Sequence, residues 1–293
     1  MFDEAFAHLP RQKLGFYLCE HNGWERGLIH AWKRHGHGAL VAVPHTTTVF
    51  WNLSFFFDTR MFQTMPMPDR FVLNGPIALR NHLDSGYPKE MLLTGEALRY
   101  QYINTIKAAC QVNPTGKRVL ILTDIIPSIN DKLLKIVTLA IDQGLCENYH
   151  FTIKPHMACA INIAAFSKYG WDIETNSISQ SIQHYDIVYT SNRTSAAVDA
   201  YYSGLPVISI LDRDELNFSP LVGLVGVTFI KSARDFVDAL RTSSCAEAIT
   251  TQREAFFFLD PALPRWRRLL CFYLDIPDAI HAKDYLDICL SLL

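Results

Sequence analysis

Hydrophobic residues along this chain come in two alternating rhythms. Short continuous apolar runs at Leu14–Glu20 (LGFYLCE), Ala39–Pro44 (ALVAVP), Phe71–Asn74 (FVLN) and Glu90–Gly95 (EMLLTG) predict strands. Between them, Trp24, Leu28, Ile29 and Trp32 recur at helical spacing within Trp24–His35, and Pro76–Leu83 has helical character. Asn113-Pro114-Thr115-Gly116 then breaks the pattern with turn residues. A second series follows: VLILTD (Val119–Asp124), a helix over Asn130–Gln143, HFTIKPH (His150–His156) and a helix, WDIET, a short helix, and DIVYTS (Asp186–Ser191) with a helix to Tyr202. PVISILD (Pro206–Asp212), VTFIK and a helix over Ala233–Arg241 complete it.

Strand and helix in strict alternation predict parallel sheets joined by right-handed crossovers. The fold class is therefore α/β. Two Rossmann-like domains facing a cleft are expected, residues 1–115 forming a short first one and 116–293 the second. The last fifty residues, with AFFFLDPALPRWRRLLCFYLDIP, read as a helical tail rich in aromatics.

Composition changes this picture little. At 293 residues, 49% hydrophobic and 19% charged, the chain is globular and long enough for about two domains of roughly 150 residues. Lys and Arg total 27 against 29 Asp and Glu, which gives no basic field to attract nucleic acid. Seven widely spaced cysteines without a CxxC indicate neither a disulfide framework nor a zinc site, and a reducing cytoplasm fits them. The opening MFDEAFAHLPRQK lacks the apolar core of a secretion signal. Gly38–Phe57 is free of charged residues, but Pro44-His45-Thr46-Thr47-Thr48 would place polar groups at bilayer depth, so no membrane span is expected.

In open parallel sheets, ligands bind beyond the carboxyl ends of the strands, where helix N-termini present free N–H groups. Three strand ends of the second series carry notable residues: Lys154-Pro155-His156, then Ser191-Asn192-Arg193-Thr194-Ser195, then Asp212-Arg213-Asp214-Glu215 with Asn217 and Ser219 beyond. The hydroxyl cluster suits an oxyanion, and equally a helix cap. His156 is positioned to donate to a phosphate or to serve the fold. The glycine-rich phosphate loops GxxxxGK[ST] and GxGxxG are absent.

The Lys154-Pro155-His156 segment, followed by TSNRTSAAVDAYYSGLPVI (Thr190–Ile208), resembles the nucleotide-binding half of GT-B glycosyltransferases. The likeness is to bacterial enzymes that use CMP-activated acidic sugars such as sialic acid, nonulosonates or Kdo. FYLCEHNGWERGLIHAWKRHG, LVAVPHTTTVFWNLSFF, VLNGPIAL, TGEALRY and LNFSPLVG look like bacterial surface-carbohydrate biosynthesis proteins, so the resemblance spans most of residues 14–270. It departs from the usual His-Pro order, here Pro155-His156, and its first half is short for a complete acceptor domain.

The resemblance implies metal-independent transfer of a sugar from a nucleotide donor, with no further cofactor, to a glycan or lipid-linked acceptor. Lys154, His156, Ser191, Arg193, Thr194 and Ser195 would hold the nucleotide phosphate, and Asn217 and Ser219 the nucleoside or sugar. The general base is expected from the first half, where Glu20 and His45 end two strands; Glu25 would orient its neighbours. Arg99 would meet an anionic sugar or an ion-pair partner. Arg265, Trp266, Arg267 and Arg268 suggest either contact with the cytoplasmic face of the inner membrane or a helix packed on the domain. Alternatives are a nucleotide-sugar epimerase, a UDP- or ADP-sugar transferase on the same architecture, and a catalytically silent scaffold.

Overall fold

The computed structural model describes residues 1–47, 53–105, 116–243 and 256–276. In chain order the elements are α1 (Phe2–His8), β1 (Leu14–Leu18), α2 (Gly23–Arg34), β2 (Ala39–Val43), α3 (Met61–Thr64), β3 (Arg70–Leu73), α4 (Pro76–Asp84) and β4 (Leu92–Thr94). Then come β5 (Lys117–Leu122), α5 (Pro127–Asp142), β6 (Tyr149–Lys154), β7 (Asp172–Ile173), α6 (Ile178–Ser181), β8 (Ile187–Ser191), α7 (Ala196–Tyr202), β9 (Val207–Ile210), β10 (Val227–Ile230), α8 (Ala233–Thr242) and α9 (Pro264–Leu274). Strands fall where the apolar runs predict them. The Glu90–Gly95 run is shorter than expected because Lys89–Met91 forms a 3₁₀ turn.

Contacts divide the chain into one unit of residues 1–101 with 255–293 and another of residues 102–254. The first holds four parallel strands in the order β1-β2-β3-β4. One face of this sheet is covered by α2 and α4, through Ile29, Trp32, Leu79, Tyr17, Leu40 and Phe71. Asn22 and Glu25 start α2 as a reciprocal capping box.

A parallel sheet is buried on both faces, and its second covering comes from the far end of the sequence. Leu269 of α9 packs on Val41, Val72 and Leu93, with Trp266 and Tyr273 beside them. The returning chain is anchored before the helix begins: Phe258 N–H donates to the Asn74 carbonyl at 2.9 Å, and its own carbonyl accepts from Ala97 N–H at 2.8 Å. The buried Glu96 carboxylate accepts from Arg265 N–H (3.0 Å), Arg265 Nη1 (3.1 Å) and Trp266 N–H (3.2 Å), holding a negative charge at the N-terminus of α9.

The division at 115/116 with a second domain running to 293 is thus corrected. The first sheet is short in sequence because residues from 256 onward complete it. Arg265 and Trp266 also leave the exposed face imagined for a membrane surface, since Arg265 pairs with Glu96 and Trp266 Nε1 donates to the Glu96 carbonyl. The tail beyond residue 276 and most of the 113–116 break lie outside the described residues. Among the described residues no helix is long and apolar enough to cross a membrane.

The second unit holds six parallel strands in the order β10-β9-β8-β5-β6-β7. The chain runs outward from β5 through β6 to β7, then returns to the other side of β5 for β8, β9 and β10. This is the doubly wound Rossmann-like order, and its topological switch point lies between β5 and β8. Val119, Ile121, Ile187 and Tyr189 of these strands pack with Leu133, Val137, Phe236 and Leu240 of α5 and α8.

Two glycines of the first unit differ in the space around them. A Cβ on Gly75 would stand 1.8 Å from the Phe256 carbonyl oxygen, whereas one on Gly23 meets nothing within 4 Å. Gly75→Ala should therefore destabilise by about 1–3 kcal/mol or more by displacing the returning segment. Gly23→Ala should be neutral or stabilise by up to about 1 kcal/mol. Urea unfolding of the two variants checks this; equal stabilities would contradict the packing described.

Candidate functional site

At the switch point, Thr123 and Asp124 follow β5, and β8 ends in Ser191. Asp124 is buried, and its carboxylate accepts from Ser191 Oγ at 2.5 Å and from Ile126 N–H at 3.0 Å. Asn130, in the first turns of α5, receives Asp124 N–H at 2.7 Å and donates through Nδ2 to the Asp124 carbonyl (2.8 Å) and Cys159 Sγ (3.4 Å). Thr123 Oγ1 accepts from His156 N–H at 2.8 Å and faces the Lys154 carbonyl at 3.4 Å. These side chains tie together the loops that follow β5, β6 and β8.

This network changes the role of Ser191. Its single proton goes to Asp124 and its oxygen also accepts from Arg193 N–H, so Ser191 is a buried link between loops whose proton is already engaged. Asp124, Asn130 and Cys159 escaped the sequence reading; an Asp at a strand end followed by an Asn six residues on is a weak signal by itself.

His156 is half-buried at the same edge. Its Nδ1 accepts from Ala158 N–H at 3.2 Å. An accepting Nδ1 places the ring proton on Nε2, so the neutral imidazole carries an N–H donor on its other side. Thr194 Oγ1 accepts from Ala196 N–H at 3.3 Å, which leaves its proton for another acceptor. Ser195 precedes α7 without a side-chain cap bond. Arg193 is exposed, with its guanidinium 4.6 Å above the Phe218 ring.

Other expected contacts are used locally. Lys154 Nζ donates to the Asn176 carbonyl. Asn217 Oδ1 accepts from Ser219 N–H at 3.0 Å, and Ser219 Oγ from Leu221 N–H at 3.2 Å, so both side-chain oxygens shape the 217–221 turn. Asp212 and Glu215 grip Lys132 at 2.6 and 3.1 Å on the surface.

In the first unit, Glu20 follows β1 and His45 follows the neighbouring β2, so both stand at the carboxyl edge. His45 Nε2 lies 3.4 Å from Glu20 Oε1, and Asn22 Nδ2 donates to Glu20 Oε2 at 3.3 Å. Glu25 Oε1 accepts from both Glu20 N–H (2.8 Å) and Asn22 N–H (3.0 Å), which fixes the backbone beneath the pair. The Glu20 side chain is 47% exposed, against 26% for His45. The carboxylate is therefore the member open to an incoming group, and His45 Nδ1 is buried without a partner among the described residues.

The left-handed backbone at His21 (φ 59°) turns its ring inward, against Phe55 and parallel to Phe71. Burial, helped by the neighbouring His82 and Arg26, pulls the His21 imidazole down to about 4, and burial does the same to His82. Both rings are neutral core groups at pH 7. Arg99 forms no ion pair among the described residues.

No protein-family model matches the chain, and no curated protein matches it in sequence. Solved structures do share its fold. A protein from Listeria monocytogenes assigned as a UDP-N-acetylglucosamine 2-epimerase superposes with a TM-score of 0.63 at 13% identity, over 96% of this chain and 79% of that one. A further UDP-N-acetylglucosamine 2-epimerase gives 0.61 at 14%, over 96% and 78%. S. aureus MnaA, solved with UDP, gives 0.59 at 13%, over 94% and 79%. The fold is accordingly GT-B-like, with two Rossmann-like units.

Two outcomes test this geometry. Ser191→Ala leaves the buried Asp124 carboxylate one donor short and should cost about 1–3 kcal/mol, whereas Ser195→Ala should stay within about 0.5 kcal/mol; denaturant unfolding compares them. The two buried histidines have folded values below their ordinary one of 6.5. Their contribution is complete above about pH 6.5 and is lost as pH falls toward 4, on the order of 3 kcal/mol for each. His82→Phe should flatten that decline, and an unchanged pH profile would contradict the burial of a neutral ring.

Proposed function

We propose that the chain is a sugar-nucleotide-dependent glycosyltransferase. In this reading the carboxyl edge of the second sheet binds the nucleotide, and the first unit supplies the acceptor's base. The observation that carries the proposal is the pairing of Glu20 with His45 at 3.4 Å on adjacent strand ends, with the carboxylate exposed and the imidazole behind it. Such a pair suits proton removal from a hydroxyl.

The reaction balances simply. The acceptor O–H proton passes to Glu20, the oxygen forms a bond to the anomeric carbon, and the bond from that carbon to the phosphate oxygen breaks. The leaving phosphate departs with the electron pair. His156 Nε2–H, the Thr194 and Ser195 hydroxyls and the Arg193 guanidinium would stabilise its charge as preorganised donors. Nothing in this set demands a metal.

The donor base is open between two sources of support. The sequence resemblance favours a CMP-activated acidic sugar; the fold neighbours that carry UDP or UDP-N-acetylglucosamine in their names favour a uridine nucleotide. Those same names support a second reading, epimerisation of a nucleotide sugar, in which Glu20 would take a proton from carbon.

Binding of UDP and CMP followed by calorimetry tests the donor site. His156→Ala and Thr194→Val should each weaken the preferred nucleotide by roughly tenfold, about 1.4 kcal/mol. Glu20→Gln should leave nucleotide affinity intact and lower turnover by about 10²- to 10⁴-fold. Deuterium uptake into the sugar without any acceptor would favour the epimerase; failure of both nucleotides to bind would refute sugar-nucleotide chemistry altogether.

A further inference from the structure

A cavity of about 220 Å³ opens at the carboxyl edge of the first sheet, and His45 forms part of its wall. The dyad and the cavity are therefore neighbours. Leu18, Val43, Val72, Ala97 and Trp266 make the exposed lining largely apolar, although Asn74, Arg99 and Tyr100 also line the cavity. Glu96 also reaches the lining, but its carboxylate is already engaged by Arg265 and the first amides of α9.

Polar atoms are only a small part of the exposed lining, so most hydroxyls of a sugar buried here would go unpaired, which is unfavourable. A hydrocarbon group would fit: a dry cavity of about 150 Å³ lined by aliphatic side chains holds a benzene ring. The apolar surface also continues outward along the edge strand. In the β1–β2 register Phe16 lies opposite Val41 and Leu18 opposite Val43. Phe16 is 40% and Leu18 58% exposed, and Phe16 meets Trp266 edge-on at 5.8 Å.

We infer that this cavity binds the apolar portion of the acceptor, an alkyl or aryl group joined to the hydroxyl that Glu20 deprotonates. The inference rests on the proposed transferase reading and narrows its acceptor to an amphipathic alcohol or glycoside. A longer hydrocarbon chain would leave the cavity along Leu18 and Phe16.

Methyl, butyl and hexyl β-D-glucosides, kept below micelle formation and titrated into the whole chain, provide the probe. Affinity should rise about fourfold for each methylene buried, until the cavity is full. Leu18→Asp, at a position 58% exposed, should remove at least tenfold of the gain for the hexyl compound. Equal affinity for methyl and hexyl glucosides, no binding of the hexyl compound, or a gain untouched by Leu18→Asp would overturn the inference. UDP and CMP titrated in parallel separate the two claims: a flat glucoside series with nucleotide binding intact removes only the apolar acceptor. Lost nucleotide binding with a rising series removes the transferase reading and leaves the cavity's ligand class standing.

Discussion

A parallel sheet has to be covered on both faces, and what remains open is its carboxyl edge. Both units of this chain obey that constraint, and the placement of every candidate functional residue follows from it. In the first unit α2 and α4 cover one face and α9 the other. Glu96 makes this possible, because its buried carboxylate is matched by the Arg265 side chain and by amides at the start of α9. Removing one partner of such a buried pair typically costs about 3–5 kcal/mol, so the covering helix and the edge it frames depend on one side chain.

With the faces closed, polar chemistry collects at the edges. In the second unit the loops after β5, β6 and β8 meet at the switch point and are bound together by Thr123, Asp124, Asn130 and Ser191. His156 Nε2 and the Thr194 and Ser195 hydroxyls take no part in this internal network, and they are the groups proposed to meet the phosphate. In the first unit the inward turn of His21 and the grip of Glu25 on two amides set Glu20 beside His45.

The strands and most helices were legible because buried parallel strands are continuous apolar runs and α2 carries its own start signal in Asn22 and Glu25. The return of residues from 256 onward to the first sheet was not. That contact joins residues such as Glu96 and Arg265, 169 positions apart, and no local pattern encodes it. At the site, strand-end position alone singled out Glu20, His45 and His156. It does not distinguish the role of Ser191, since a serine looks the same in sequence whether its proton meets a phosphate or, as here, the buried Asp124. Asn217 and Ser219 were ambiguous for a related reason: their oxygens serve turns as readily as ligands.

In the proposed function the second sheet's carboxyl edge is a nucleotide site built from the loops after β6 and β8. Amide hydrogen exchange of the whole chain, with and without saturating UDP or CMP, tests it directly. The account predicts slower exchange in peptides covering residues 155–160 and 192–197, with the β7 end of the same sheet unchanged. Nucleotide-dependent protection confined to other segments, or none in these two loops, would contradict it.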